Sequence, residues 1–264
     1  MIEITALDKI FHRHSVNEVK ALSALNLSIK EGDFITVIGS NGAGKSTLLN
    51  CLAGSQSIDS GRISIAGQDV TRWPEHRRAL LISRVFQDPL LGTCGPLAIE
   101  QNLALANRRG GTHGLGKGVR QSDRALFRSQ LAQLGLGLED RLKDRVGLLS
   151  GGQRQALTLL MATLVKPQVL LLDEHTAALD PKTAQQVLEL TRRLIDEQQI
   201  TALMVTHNMR QALQLGNRLI MLHGGRIILD ISGPAKQAMQ VEDLLEQFYR
   251  VRGEDFVSDR MLLI

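Results

Sequence analysis

A glycine-rich run, GSNGAGKS at 39–46, contains the residue types that hold a phosphate chain. It follows DFITVIG (33–39), whose unbroken apolar run predicts a strand buried on both faces, and it precedes a stretch with helical character. Glycines let backbone amides turn toward an anion, Lys45 adds a positive charge, and the Ser46 hydroxyl is a typical magnesium ligand. The full match to G-x-x-x-x-G-K-[ST] in this context predicts a nucleotide-binding loop. Its expected binding residues are Gly39, Asn41, Gly42, Ala43, Gly44, Lys45, Ser46 and Thr47.

A second anion-binding helix start is predicted at LLSGGQRQAL (148–157). Ser150 is a favoured N-cap, and Gln153 stands three residues later, as in a capping box. Gly151 and Gly152 leave the first amides of the helix unshielded at the positive end of its dipole. A single nucleotide-sized domain would therefore carry two phosphate-binding helix starts.

Two carboxylates, Asp173 and Glu174, end the apolar run VLLLDE (169–174). Enzymes with a phosphate-binding loop use an aspartate to hold the magnesium ion, and Asp173 matches that residue. A second carboxylate beside the metal can orient or deprotonate an attacking water, which is the role expected of Glu174. An Asp-Glu pair at the end of a strand can also be a solvated turn, but the upstream loop favours the catalytic interpretation.

The order of these motifs, followed by VTHN at 205–208, resembles the ATPase domain of ABC transporters over nearly the whole chain. LSGGQ (149–153) matches the signature motif of that family and is more diagnostic than the phosphate loop. The resemblance implies an α/β fold: a P-loop NTPase (RecA-like) core with an N-terminal antiparallel β subdomain and an inserted α-helical subdomain. It also implies that the cofactors are ATP and Mg²⁺.

Further site residues follow from this resemblance. Phe11 matches the aromatic residue that stacks on adenine, although it could instead cover a hydrophobic strand edge. Gln87 in VFQDP matches the glutamine that links the metal site to the transmembrane partner, although it could be an ordinary turn residue. Asp180 matches an acid that crosses a dimer interface. His207 matches the histidine that contacts the γ-phosphate and the attacking water, although a lone histidine after a strand is usually structural.

The predicted organisation is one ABC ATPase domain over residues 1–264. Its α/β core and β subdomain take 1–87 and 150–240, where strands and helices alternate as in a parallel sheet with crossover helices. A helical subdomain takes 88–149, and within it the Gly-rich basic run 108–120 is expected to be a mobile surface loop. A C-terminal helix and tail take 241–264. This segment could pack on the core or support a dimer, and we expect it to pack on the core.

Composition sets limits on the cellular setting. The chain has 264 residues, a net charge of +4 and only two cysteines, without a CxxC pair, which suits a reducing compartment and argues against a zinc site. Its N-terminus lacks the apolar core of a signal peptide, and no apolar run approaches the ~18 residues that span a bilayer. We therefore expect a cytoplasmic chain, associated with the inner face of the cell membrane through a permease.

The expected function is ATP hydrolysis that powers solute transport through separate permease subunits, with import favoured over export. EHTAALDPKTA (174–184) resembles a bacterial importer branch, some members of which are associated with aromatic amino acid uptake. His175 stands where the family commonly has proline, and we assign it no catalytic role. The expected partners are a second copy in an ATP-dependent homodimer, the permease and a solute-binding protein, with no direct nucleic-acid contact.

Two other functions fit parts of the sequence. The main alternative is a soluble ABC-type ATPase that acts in nucleic-acid or ribosome-associated processes. Chromosome and repair ATPases of that kind have long coiled coils between the phosphate loop and the signature motif. The relatives that act in translation usually carry two ATPase units in one chain. A P-loop kinase, the third class, would leave LSGGQ unexplained.

Overall fold

The computed structural model describes residues 1–111 and 118–252. The described chain divides into two compact units. The first unit combines Met1–Leu81 with the residues from Ile200 onward, and the second is Ile82–Gln199.

Strands and helices alternate along most of the chain. The first part contains β1 (Ile2–Phe11), β2 (Val19–Ile29), β3 (Phe34–Gly39), α1 (Lys45–Ala53), β4 (Ser60–Ile65), β5 (Gln68–Asp69) and α2 (Glu75–Arg78). The middle part contains β6 (Ile82–Val85), α3 (Ile99–Asn107), α4 (Gln121–Ala132), a 3-10 turn (Val146–Leu148), α5 (Gly151–Leu164), β7 (Val169–Asp173) and α6 (Pro181–Gln198). The last part contains β8 (Thr201–Val205), α7 (Met209–Gln214), β9 (Arg218–His223), β10 (Arg226–Ser232), α8 (Gly233–Ala238) and α9 (Val241–Arg252).

The first unit contains two sheets. An antiparallel sheet has the order β2-β1-β4-β5, and buried and exposed residues are interspersed along its long strands β1 and β2. In the other sheet, β3 pairs in parallel with both β8 and β9, and β10 pairs antiparallel with β9. All six residues of β3 are buried, which confirms the strand predicted from its unbroken apolar run. A strand with neighbours on both sides and cover on both faces has no solvent-facing position for a polar side chain.

The second unit combines the parallel pair β6–β7 with helices. Its helices α3 and α4 pack with α5 around a common apolar core, to which Phe127, Leu131 and Leu157 contribute completely buried side chains. Among the described residues between 88 and 149, the regular elements are helical, as the sequence predicted. The exact subdomain boundaries at 88 and 149 remain predictions.

Helix α9 packs its apolar side against other elements of the first unit. Leu244 and Phe248 are 0% and 1% exposed and join the cluster formed by Ile38, Met209 and Met221. This packing confirms the prediction that the C-terminal helix lies against the core. The tail from 253 and the centre of the predicted glycine-rich loop, 112–117, lie outside the described residues. Within the described residues, the structure contains no helix with both the length and the apolar character needed to cross a bilayer.

Candidate functional site

The phosphate loop connects the buried end of β3 to the start of α1. Lys45, the first residue of α1, is only 6% exposed, and its Nζ donates hydrogen bonds to the carbonyl oxygens of Gly39 at 2.7 Å and Ser40 at 3.0 Å. The ammonium group therefore lies inside the loop. Ala43 is buried, whereas Asn41, Gly42 and Ser46 are exposed and Thr47 is half-buried. The eight predicted residues thus run from the end of β3 into the first turn of α1, and the Lys45 ammonium contacts the start of this segment.

Gly44 shows why this loop requires glycine. Its φ is 101°, in the left-handed region, and a Cβ placed there would lie 2.5 Å from the carbonyl oxygen of Ala21 on β2. No side chain fits that approach, because the neighbouring atom belongs to the backbone and cannot rotate away. Gly44 also caps α1, so the close approach fixes where the helix and its amides begin.

Arg78 holds the other end of α1. Its guanidinium is buried and donates to the carbonyl oxygens of Cys51 at 2.5 Å and Leu52 at 2.9 Å, which are orphan acceptors at the helix C-terminus. A cation at this end complements the helix dipole. Burial lowers the pKa of Arg78, but an arginine remains charged in spite of such a shift. The helix behind the phosphate loop is therefore fixed at both termini.

Strand register places His207 beside the phosphate loop. Val37 of β3 pairs with Val205 of the parallel strand β8, so Gly39 and His207 each lie two residues beyond the same rung. The carboxyl ends of neighbouring parallel strands form one edge, where ligands bind in α/β folds. His207 is half-buried at this edge, and its contact with phosphate stays a prediction.

Phe11, the predicted adenine-stacking residue, ends β1 and is half-buried. The Nζ of Lys9 lies 5.2 Å from the centroid of the Phe11 ring, within the range of a cation–π interaction. Lys9 is itself 7% exposed and pairs with Asp59 at 3.6 Å. The stacking role of Phe11 stays a prediction.

In the second unit, β6 and β7 bring Gln87 and the two acids to one edge. Val85 pairs with Leu172, so Gln87 and Glu174 lie two residues beyond the same rung and Asp173 ends its strand. Glu174 has a φ of 45°, a left-handed conformation that costs energy for a residue with a Cβ. Strained backbone of this kind often marks functional positions.

An arginine that the sequence analysis did not identify contacts Asp173. Nη2 of Arg84, on β6, lies 2.6 Å from Oδ2 of Asp173, and the two side chains are 14% and 15% exposed. The Arg84 guanidinium also lies over the ring of Phe86, 4.7 Å from its centroid. Asp173, the acid predicted to lie beside the magnesium ion, is therefore already paired with a positively charged side chain of the same unit.

The signature segment forms the helix start that the sequence predicts. The amide of Gln153 donates to Oγ of Ser150, and the amide of Ser150 donates to Oε1 of Gln153, both at 3.2 Å. This confirms the capping box. The amides of Gly151 and Gly152 precede the first intrahelical hydrogen bonds of α5, and Ser150 is exposed. Gly151 is exposed and Gly152 is buried, so an anion can approach this helix start from the side of Ser150 and Gly151.

Gly152 lets the signature helix approach α6. A Cβ on Gly152 would lie 2.1 Å from the Thr183 methyl group, so a larger residue would force the two helix starts apart. Asp180 caps α6 by accepting from the Thr183 amide at 3.1 Å. Hydrogen bonds from the side chain and then the backbone amide of Thr183 hold the pKa of Asp180 below its usual value. The structure thus brings Asp180 and the signature motif together.

His175, which follows Glu174, is a structural residue. It is 2% exposed, and its Nε2 lies 3.0 Å from Oγ1 of Thr191. Because the Thr191 hydroxyl donates its proton to the carbonyl oxygen of Val187 at 2.7 Å, Nε2 of His175 must be the donor. Burial lowers the pKa of His175 from 6.5 to about 4, so the ring is neutral at pH 7.

We expect His175 to make the protein sensitive to mild acid. Its native pKa lies below its unfolded value, so its stabilising effect is complete above pH 6.5 and is lost as the pH falls toward 4. The free energy of unfolding should fall by about 2 kcal/mol between pH 7 and pH 5 from this group alone. Urea unfolding of His175→Leu should show a smaller drop, whereas the exposed control His76→Leu should keep the wild-type drop. Equal pH dependence in all three proteins would contradict this account.

Known proteins are similar to this chain in sequence. The sequence profile described as "ABC transporter" matches residues 22–177. A tyrosine transport ATP-binding protein of Clostridioides difficile (strain R20291) is 45% identical over 248 residues, which cover 94% of this chain and 98% of that protein. The thiamine import ATP-binding protein ThiQ of Chelativorans sp. (strain BNC1) is 38% identical over 206 residues and covers 78% of each chain.

Solved structures show the same fold. The dimeric post-hydrolysis state of the ATP-binding cassette MJ0796, bound to ADP and Pi, superposes with a TM-score of 0.75 at 27% identity, covering 88% of this chain and 98% of that one. A nucleotide-free ATP-binding cassette gives a TM-score of 0.75 at 23% identity, over 93% of this chain and 95% of that one. These similarities confirm the α/β P-loop NTPase fold predicted from the sequence.

Proposed function

We propose that this chain, which belongs to the ABC transporter family as an ATP-hydrolysing subunit, powers the import of tyrosine or a closely related aromatic amino acid. The proposal of this substrate rests on the 45% identity with a tyrosine transport ATP-binding protein over almost the full length of both chains. Identity with the thiamine import subunit is lower, 38%, and covers less of each chain. The solute itself would be recognised by the permease and a solute-binding protein, so the substrate assignment concerns the whole transporter.

The phosphate loop supplies the charge and donors for ATP. We propose that Lys45 contacts the β- and γ-phosphates and that the amides from Gly42 to Ser46 surround them. A buried ammonium inside a loop of backbone donors is suited to a polyphosphate, because each new contact is charge-assisted. Phe11 would stack on adenine.

Three side chains offer the kinds of oxygen atom that bind a magnesium ion. Mg²⁺ prefers hydroxyl, carboxylate and amide oxygens, and Ser46, Asp173 and Gln87 provide one of each. Ser46 is exposed in the first turn of α1, and Asp173 has Oδ1 in addition to the oxygen that binds Arg84. The ion would neutralise charge on the phosphates, and these residues would orient it.

Glu174 and His207 would act on the attacking water. A carboxylate at the end of β7 can accept a proton from the water, and His207 can hold the γ-phosphate and the water in line. The strained backbone of Glu174 supports this assignment, because strain of this kind clusters at active sites.

ATP would join two copies of the chain. The fold of a dimeric ATP-binding cassette bound to ADP and Pi matches this chain. We propose that Ser150, Gly151 and Gly152 of one copy contact the γ-phosphate held by Lys45 of the other, with Asp180 beside that interface. Such an arrangement is isologous and contains two ATP molecules. Loss of the γ-phosphate would remove the contact and open the dimer.

The family implies membrane permease subunits as partners. We propose that Gln87 passes the nucleotide-dependent motion to the permease, and that the chain lies at the inner face of the membrane through this contact. Leu90 and Leu91 follow Gln87 and are 52% and 69% exposed, an apolar surface of the kind that protein contacts cover. A solute-binding protein would deliver the solute.

The proposed substrate can be tested in the cell that produces this chain. Disruption of its gene should abolish energy-dependent uptake of labelled tyrosine and leave uptake of thiamine and methionine unchanged. Wild-type chain and the surface control Lys30→Ala should restore tyrosine uptake, whereas Lys45→Ala should not. Unchanged tyrosine uptake, with loss of uptake of another solute, would contradict the substrate and retain the ATPase role.

A further inference from the structure

Arg84 and Asp173 form an ion pair that the sequence motifs do not contain. Nη2 of Arg84 lies 2.6 Å from Oδ2 of Asp173, a short charge-assisted contact between two mostly buried groups. Arg84 stands on β6 and Asp173 on the paired strand β7, where Arg84 is opposite Leu171. The register therefore directs the arginine toward the end of the neighbouring strand.

Two further contacts hold Arg84 in place. Its guanidinium lies over the Phe86 ring at 4.7 Å from the centroid, and the carbonyl oxygen of Phe86 accepts a hydrogen bond from Nε2 of Gln155 at 3.2 Å. Gln155 is completely buried in α5, the helix that starts with the signature motif. The guanidinium is thus confined beside the carboxylate, with the signature helix as its support.

We infer that Arg84 competes with the divalent cation for Asp173 and so sets how tightly the site holds metal. This inference rests on the proposed role of Asp173 as the metal-side acid. A fixed positive charge beside the carboxylate repels a divalent ion and occupies one of the two carboxylate oxygens. Because the site is largely shielded from water, this repulsion is screened less than it would be on the surface. Arg84 is a positioning residue in this scheme, since it acts on the metal through Asp173.

The consequence is weaker metal retention after hydrolysis. A carboxylate shared with an arginine would release metal and ADP more readily than a carboxylate that faces the metal alone. Once the metal has left, Arg84 still neutralises Asp173, so the acid is not left buried without a counter-charge. The pair would thus favour exchange of spent nucleotide.

Mn²⁺ binding measured by electron paramagnetic resonance tests this directly, with the full chain in excess over ADP. Arg84→Gln removes the charge and should bind Mn²⁺ about tenfold more tightly than wild type. Arg84→Lys keeps the charge and should stay close to wild type. Arg124→Gln is the control: it removes the arginine of another arginine–carboxylate pair of the same unit, with Glu100, and should leave Mn²⁺ affinity unchanged.

The outcomes separate this inference from the proposed function. Asp173→Asn should weaken Mn²⁺ binding, and if it does not, the metal role of Asp173 fails and the inference fails with it. Suppose that Asp173→Asn weakens Mn²⁺ binding but that Arg84→Gln binds Mn²⁺ only as tightly as wild type, or less tightly. Then only the competition by Arg84 is overturned. Equal loss of affinity in Arg84→Gln and Arg84→Lys would show that the arginine serves packing rather than charge.

Discussion

Glu174→Gln binds ATP but hydrolyses it at least about a hundredfold more slowly than wild type, if Glu174 is the general base. Glutamine has nearly the same shape and keeps an oxygen near the water, but it cannot accept the proton. The left-handed backbone at Glu174 does not depend on the charge, so the local fold should survive. Phosphate release gives the rate, and size-exclusion chromatography with ATP should show a stable dimer, because the γ-phosphate is no longer removed.

The control for this variant is Glu189→Gln on α6. Glu189 is exposed and accepts from Nε2 of Gln185 at 2.8 Å, a surface contact outside the site. It should hydrolyse ATP at the wild-type rate and form no lasting dimer. Wild-type turnover in Glu174→Gln would remove Glu174 from the role of base. A slow variant that remains a monomer with ATP would leave the base in place and contradict the ATP-bridged dimer.

Local features of this site could be predicted because their partners are close in sequence. The capping box of Ser150 and Gln153 joins residues three apart, and helix geometry fixes their contact once the helix forms. The strand before the phosphate loop could be predicted as well, because its six consecutive buried residues appear in the sequence as an unbroken apolar run. Such signals need no knowledge of the rest of the fold.

Contacts between distant residues could not be predicted in this way. Arg84 and Asp173 are 89 positions apart, and their contact depends on the register of β6 with β7. β6 is ISRV, whose two central polar residues give neither an unbroken apolar run nor strict alternation, so its pattern does not identify a strand. The same limit applies to Gly152, whose contact with Thr183 needs the packing of two helices. His175 had no sequence signal beyond its departure from the family pattern.

Ser150→Arg tests whether the signature helix of one copy completes the site of another. The arginine would place a long side chain at an exposed helix start, where a partner chain and its nucleotide must approach. Turnover should fall to background, while ATP affinity of the monomer should stay near that of wild type, because Lys45 and its loop are unchanged. Ser150→Ala controls for the lost cap, which costs about 1 kcal/mol of stability without adding bulk. Ser129→Arg, at an exposed position of α4, controls for the added charge.

Mixing two inactive variants gives the sharpest form of this test. Lys45→Ala has a defective phosphate loop and an intact signature helix, and Ser150→Arg has the reverse. A mixed dimer would pair the intact loop of one chain with the intact signature helix of the other and regain one complete site. A 1:1 mixture should then recover up to about a quarter of wild-type turnover, since half of the dimers are mixed and each has one of two sites. If each chain hydrolysed ATP with its own residues alone, Ser150→Arg would remain active and mixing would add nothing.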